Sequence, residues 1–176
     1  HIPLTLLCSF IFSATLHVPS SYATIQEALD AASHGQIGST QLWDTVAVAP
    51  GYYMDGPYMI TKNVVLASHA VTQDNIETLE WEDDDITGYQ VTNDNIKDTH
   101  LSGITFDSNS DMGSIVIINS PEGQCIEPQV LGFTIEHGKG SIVSKDDIVK
   151  RAGGGILSLN ANPTINFNNI QGNTND

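Results

Sequence analysis

Between Ser20 and Tyr53 the hydrophobic pattern of the chain changes from helical to strand-like within a few residues. Thr24 stands where a helix N-cap is wanted, and Glu27 lies three residues on, the spacing of a capping box. Ile25, Ala28, Leu29 and Ala32 share one face at helical spacing, and Gly35 suits the left-handed residue that often ends a helix. These residues predict a short amphipathic helix over 24–34. A polar break comes next, and then Val46-Ala47-Val48-Ala49 before Pro50-Gly51, a β-branched strand and a tight turn. A helix with a single apolar face must cover something, yet the chain has no second helical pattern for it to pack against.

Beyond the turn the chain carries a series of short apolar runs: Val64-Val65-Leu66-Ala67, Ile115-Val116-Ile117-Ile118 and Ile156-Leu157-Ser158-Leu159. Runs of this length between turn residues read as strands. Parallel strands ordinarily need helical crossovers, except where each repeat of a stacked architecture supplies its own return path. Internal repetition points the same way. Leu101–Asp107, Val130–Glu136 and Ile165–Gln171 align at offsets of 29 and 35 residues. In that alignment Phe106, Ile135 and Ile170 form an inward stack, Thr105, Thr134 and Asn169 face outward, and Asp107, Glu136 and Gln171 fall at equivalent positions. Seven of the last 17 residues are Asn, which suits turns or stacked amide ladders. The alternative is a disordered low-complexity tail, against which the Ile165, Phe167, Ile170 pattern counts. Two stretches, Thr72–Asp98 and Gly140–Arg151, interrupt the repeats and read as projecting loops.

The 176 residues suffice for one domain, and 40% are hydrophobic. Lys and Arg number 6 against 21 Asp and Glu, a formal net charge of −15. That balance argues against nucleic acid or an anionic membrane as partner, since phosphate recognition needs clustered cations. Residues 1–16 are apolar and too short for a confident membrane span; they read as a signal-peptide remnant, with a buried first strand as the alternative. The domain is then expected over 17–176. Cys8 would leave with the signal peptide, so no intramolecular disulfide is expected of Cys125.

Val18–Gln26, the Asp44–Tyr53 strand and turn, Gly153-Gly154-Gly155-Ile156 and Asn162-Pro163-Thr164-Ile165 together resemble right-handed parallel β-helix proteins of the pectin-lyase-like superfamily, in particular secreted bacterial members in which the β-helix is one module of a longer chain. The resemblance implies an all-β right-handed parallel β-helix solenoid with a short N-terminal capping α-helix, secreted or at the cell surface. Because the chain stops within a repeat, an N-terminal fragment is expected, with further coils in the remainder of a longer chain. An extra stretch at Gln36–Leu42 departs from the pattern.

The motifs specify fold better than activity. Asp107 and Glu136, stacked about 5 Å apart, are candidates for acid and base work or for holding Ca²⁺, the one cofactor to consider. His137 beside Glu136 is a candidate base. Asp83 and Asp85 are further candidate Ca²⁺ ligands, although the spacing of a calcium loop is missing. Trp81 and Tyr89 are candidates for stacking on sugar rings, as are Tyr52 and Tyr53. Each also has a plain reading as a solvated or packed side chain. The triple glycine at Gly153 lacks the residues of a phosphate loop and reads as a turn. Superfamily lyases use Asp-bound Ca²⁺ with an Arg or Lys base, and the hydrolases use Asp motifs with Gly-His-Gly; neither set transfers here. The expected function is a structural or adhesion-like extracellular module with polysaccharide as a candidate partner. The alternative is a truncated polysaccharide lyase or glycoside hydrolase acting on acidic polysaccharide.

Overall fold

The computed structural model describes residues 13–37, 40–71, 79–82, 85–88, 98–103, 113–145 and 148–175. In chain order its elements are β1 (Thr15–Val18), α1 (Ile25–Ala31), β2 (His34–Ile37), β3 (Thr40–Trp43), β4 (Thr45–Val48), β5 (Gly51–Tyr53), β6 (Tyr58–Ile60), β7 (Val65–Ser68), β8 (Leu79–Glu82), β9 (Asp85–Gly88), β10 (Thr99–Ser102), β11 (Val116–Asn119), β12 (Gln129–Leu131), β13 (Thr134–Glu136), β14 (Ser141–Lys145), β15 (Ile148–Ala152), β16 (Ile156–Leu159), β17 (Thr164–Asn166) and β18 (Asn169–Gln171). The described residues are therefore mostly β, with one short α-helix.

Three parallel sheets make the body. The first has strand order β1-β4-β7-β12-β17, the second β5-β10-β13-β18 and the third β6-β11-β16. The chain visits them in rotation, through β4, β5 and β6, then β7, β10 and β11, then β12, β13 and β16, then β17 and β18. Each circuit lays its strands beside those of the circuit before. Within a strand alternate side chains take opposite sides. Val46, Leu66 and Val130 of the first sheet, Leu101 and Ile135 of the second, and Tyr58, Ile60, Val116 and Ile118 of the third join a single buried apolar cluster. Removing each aliphatic side chain from water contributes roughly 1.5–3 kcal/mol.

Helix α1 adds Ile25, Ala28 and Leu29 to that cluster from the first-circuit end. Its capping box is complete. Thr24 Oγ1 accepts from the Glu27 N–H at 3.1 Å, and Glu27 Oε2 accepts from the Thr24 N–H at 3.3 Å. The helix is shorter than the expected 24–34. Ala32 is already extended and His34 opens β2, because the stretch after the helix folds with β3 into an antiparallel hairpin. Gly35 is thus a strand residue and not a helix terminator. Lys62 closes the helix end instead, its ammonium donating to Asp30 O at 2.9 Å and Ala32 O at 2.8 Å.

The body starts before the expected boundary at residue 17. Thr15 and Leu16 belong to β1, opposite Thr45 and Val46. Residues 1–12 lie outside the described residues. The two expected loops contain antiparallel hairpins, β8 with β9 and β14 with β15. The 35-residue offset holds, with Val130 opposite Ile165 and Ile135 opposite Ile170. The 29-residue offset does not. Leu101, not Phe106, stands opposite Ile135, and His100 opposite Thr134 gives an offset of 34. An aliphatic residue two positions before a glycine recurs at different corners, so Leu101-Ser102-Gly103, which leaves the second sheet, aligns in sequence with Val130-Leu131-Gly132, which leaves the first. Phe106 itself lies outside the described residues. Thr134 is fully buried although it shares the outward side by alternation, flanked by His100 and Asn169 on the adjacent strands.

The terminal asparagines do not form a ladder of amides. Asn168 Oδ1 accepts from the Phe133 N–H at 2.9 Å, and its Nδ2 donates to Val130 O and Asn166 O. Asn173 repeats the arrangement at the next corner, with the Gly138 N–H and the carbonyls of Ile135 and Gln171. Each amide ties its corner to the backbone of the preceding circuit.

Candidate functional site

The second sheet turns Leu101 and Ile135 inward, so the residues on either side of them in sequence face out. The register places Tyr52, His100, Thr134 and Asn169 in one outward row and Ser102, Glu136 and Gln171 in the next. Rows two residues apart are diagonal neighbours, within reach of long side chains. His100 and Glu136 use that diagonal: Nδ1 and Oε1 are 2.9 Å apart. An ionised carboxylate only accepts, which assigns the proton to Nδ1 of His100. Gln171 Nε2 donates to the other oxygen, Oε2, at 3.4 Å.

Tyr52 lies over His100 with ring centroids 4.1 Å apart and planes 16° from parallel. One face of its ring is thus occupied, yet the residue remains 68% exposed. The side chains of His100 and Glu136 are only 13% and 12% exposed, so Tyr52 forms a raised aromatic edge beside a largely covered carboxylate.

His137 completes the group from the corner after β13. Its backbone is left-handed, φ 64°. Nδ1 lies 3.3 Å from the Ser102 hydroxyl and 3.9 Å from Glu136 Oε1. The ring is 42% exposed, and Nε2 has no hydrogen-bond partner among the described residues. Gly103 permits this approach, since a Cβ there would run into the His137 carbonyl.

The structure therefore brings together two of the expected residues, Glu136 and His137. It joins to them Tyr52, expected only as one aromatic among several. His100, Ser102 and Gln171 are absent from the sequence-based candidates. Gln171 already aligns with Glu136 in sequence, whereas the signal for His100 and Ser102 lies in the matching triplets His100-Leu101-Ser102 and Thr134-Ile135-Glu136, each an aliphatic residue between polar ones, which the corner mismatch conceals. Asp107 lies outside the described residues, and the register gives its expected place opposite Glu136 to Ser102. Trp81 is on β8 opposite Ile86, and Asp85 is on β9 opposite Glu82. Asp83 and Tyr89 lie outside the described residues. Among the described residues no group of three or more His, Cys, Asp or Glu is placed to hold a metal ion. Among them, too, no helix is long and apolar enough to cross a membrane.

Comparison of the chain with protein-family models, curated proteins and solved structures finds no match. The chemistry of the cluster is that of a hydrogen-bonding face. It offers a carboxylate held by an imidazole and an amide, a second imidazole with an open nitrogen, and an exposed aromatic ring.

Proposed function

We propose that the chain is a right-handed parallel β-helix module of the pectin-lyase-like kind, secreted or displayed at the cell surface, that binds carbohydrate on the outward side of its second sheet. The rotation of the chain through three parallel sheets supports the β-helix reading. The observation that carries the binding reading is the exposed Tyr52 ring stacked on His100, whose imidazole holds Glu136. Sugars present a C–H face that packs on aromatic rings and hydroxyls that need acceptors, and this face supplies both. Binding to immobilised polysaccharides, compared between the wild type and Tyr52→Ala, tests the reading. Retention by at least one polysaccharide, weakened in the variant, is expected; failure to bind any of them overturns it.

A catalytic reading draws on Glu136 with His137 at 3.9 Å, a carboxylate beside a candidate base. Release of reducing ends or unsaturated products from an acidic polysaccharide, lost in both Glu136→Ala and His137→Ala, would replace binding by turnover.

A further inference from the structure

We infer that this face takes an uncharged, hydroxyl-rich glycan chain and rejects polymers of uronic acids. The inference rests on the carbohydrate-binding reading and names its ligand class. The two outward rows are Tyr52, His100, Thr134 and Asn169, and Ser102, Glu136 and Gln171, with His137 at their end. None is Lys or Arg, and the single carboxylate is that of Glu136. Among the described residues no lysine or arginine is paired with Glu136, His100 or His137. Lys62 is engaged at the end of α1, and Lys150 and Arg151 are on the β15 strand of a hairpin. Lys139, two residues beyond His137, uses its backbone N–H to bond Gly113 O and is exposed.

Recognition of a sugar carboxylate rests on fixed cationic donors, Arg above all. Here a uronate would instead meet Glu136, within a chain of net charge −15. Like charges brought together in this way select against the ligand. A neutral sugar meets no such penalty. Its hydroxyls can donate to Glu136, accept from Gln171 and Asn169, and pair with Nε2 of His137, an acceptor or a donor according to the tautomer, which the Ser102 contact on Nδ1 leaves open. Tyr52 and Glu136 stand two strands apart, about 10 Å at ordinary strand spacing, so the ligand reaches beyond a single ring.

The test measures equilibrium binding of the whole chain to soluble β-glucan, mannan and xylan, and to polygalacturonate and alginate, at neutral pH and at two salt concentrations. Tyr52→Ala and Glu136→Gln are run beside the wild type, with melting curves to establish that both fold. Expected are binding of at least one neutral polymer, insensitivity to salt, a loss of about tenfold or more in each variant, and no retention of either uronate polymer. Binding of polygalacturonate or alginate by the wild type that weakens in Tyr52→Ala overturns the inference and leaves the carbohydrate reading standing. Neutral-glycan binding unchanged in both variants also overturns it, by removing the ligand from this face. Binding of no polymer at all defeats the carbohydrate reading itself.

Discussion

The side-chain amide of Gln26 closes on the backbone of Met59: Oε1 accepts the Met59 N–H at 2.7 Å, and Nε2 donates to the Met59 carbonyl at 3.3 Å. Met59 sits on β6, the edge strand of the third sheet, and Gln26 on the first turn of α1. One side chain thus stands in for the strand that an open edge would otherwise recruit. The helix covers the apolar end through Ile25, Ala28 and Leu29, and blunts the edge through Gln26. Gln26→Ala should destabilise by about 1 kcal/mol, since both groups it serves are near solvent and water can replace it. The more telling result is association: the variant should form dimers or larger species at concentrations where the wild type does not, as read by light scattering.

Asp44 fastens the backbone just before β1 to the first circuit. Buried between β3 and β4, it accepts from the Ala14 N–H at 2.7 Å, the Ser33 N–H at 2.8 Å and the Ser33 hydroxyl at 2.9 Å. Burial alone would raise its pKa, but the backbone N–H groups of Ala14 and Ser33, the Ser33 hydroxyl and the Lys62 charge together outweigh it, and the net shift is downward from 3.8. The folded state therefore favours the ionised form. Its contribution is present above pH 3.8 and is lost as pH falls below that through the lowered pKa. Asp44→Asn puts an N–H₂ where one of these donors points, and should cost about 2–3 kcal/mol near neutrality. The loss should shrink as pH falls below 3.8 through the lowered pKa, which urea denaturation over a series of acidic pH values measures.

Much of this organisation is readable from residue order because it is local. Thr24 and Glu27 announce their capping box at a spacing of three, and the aliphatic runs around Val46, Leu66 and Ile117 find their strands within a residue. The 35-residue repeat is readable because the aliphatic residues Val130 and Ile135 are matched in order by Ile165 and Ile170. The candidate site is not local. His100 meets Glu136 across 36 positions, and only the register of β10 against β13 brings them within 2.9 Å. A glycine bends the chain after either sheet, so Gly103 resembles Gly132 while sharing its corner position with His137. That one ambiguity hides Ser102 and His100 from a reading of residue order alone.

Asn168 should be hard to replace, because its amide uses both ends. Phe133 N–H needs an acceptor, and the carbonyls of Val130 and Asn166 need donors. Asn168→Ala strands all three partners, at roughly 1–3 kcal/mol for the most buried of them. Asn168→Asp keeps the acceptor but turns a second oxygen toward two carbonyl oxygens. It should therefore be no more stable than the Ala variant near neutral pH, despite being isosteric. Equal or greater loss in Asp than in Ala, by thermal or urea melts, is the expected order; recovery in Asp would show that the donor side contributes little.

His17 and His69 face each other edge-on across the first sheet, centroids 5.8 Å apart and planes at 82°. Burial lowers the pKa of His69 below 6.5, and the neighbouring His17 charge lowers it further. The fold thus favours the neutral imidazole. Stability should be full above pH 6.5 and decline as pH falls below that through the lowered pKa, as His69 takes up a proton more readily unfolded than folded. His17→Gln removes the smaller of the two causes. The NMR titration midpoint of His69 should lie below 6.5 in the wild type and move part of the way back in the variant. A midpoint above 6.5 in the wild type would reverse the sign of the pH dependence.

His137 and Gly172 occupy the same corner in successive circuits, at φ 64° and 60°. A residue with a Cβ is strained in that conformation by about 1–2 kcal/mol, whereas glycine adopts it freely but surrenders more chain entropy on folding. The balance favours glycine by roughly 0.5–1 kcal/mol where nothing else holds the side chain. Among the described residues, the His137 ring is held by its 3.3 Å contact to Ser102 and by the longer one to Glu136. His137→Gly should therefore leave the protein as stable as the wild type or more so, while glycan affinity falls with the loss of the open Nε2. Asn166-Phe167-Asn168 supplies the control. Phe167 is left-handed as well, at φ 59°, and lies at the corner after the first sheet, away from His137. Phe167→Gly should stabilise or be neutral with glycan affinity unchanged. A His137→Gly protein that both melts lower and binds normally would mean that the imidazole braces the corner, and that the strained conformation serves the fold and not the ligand.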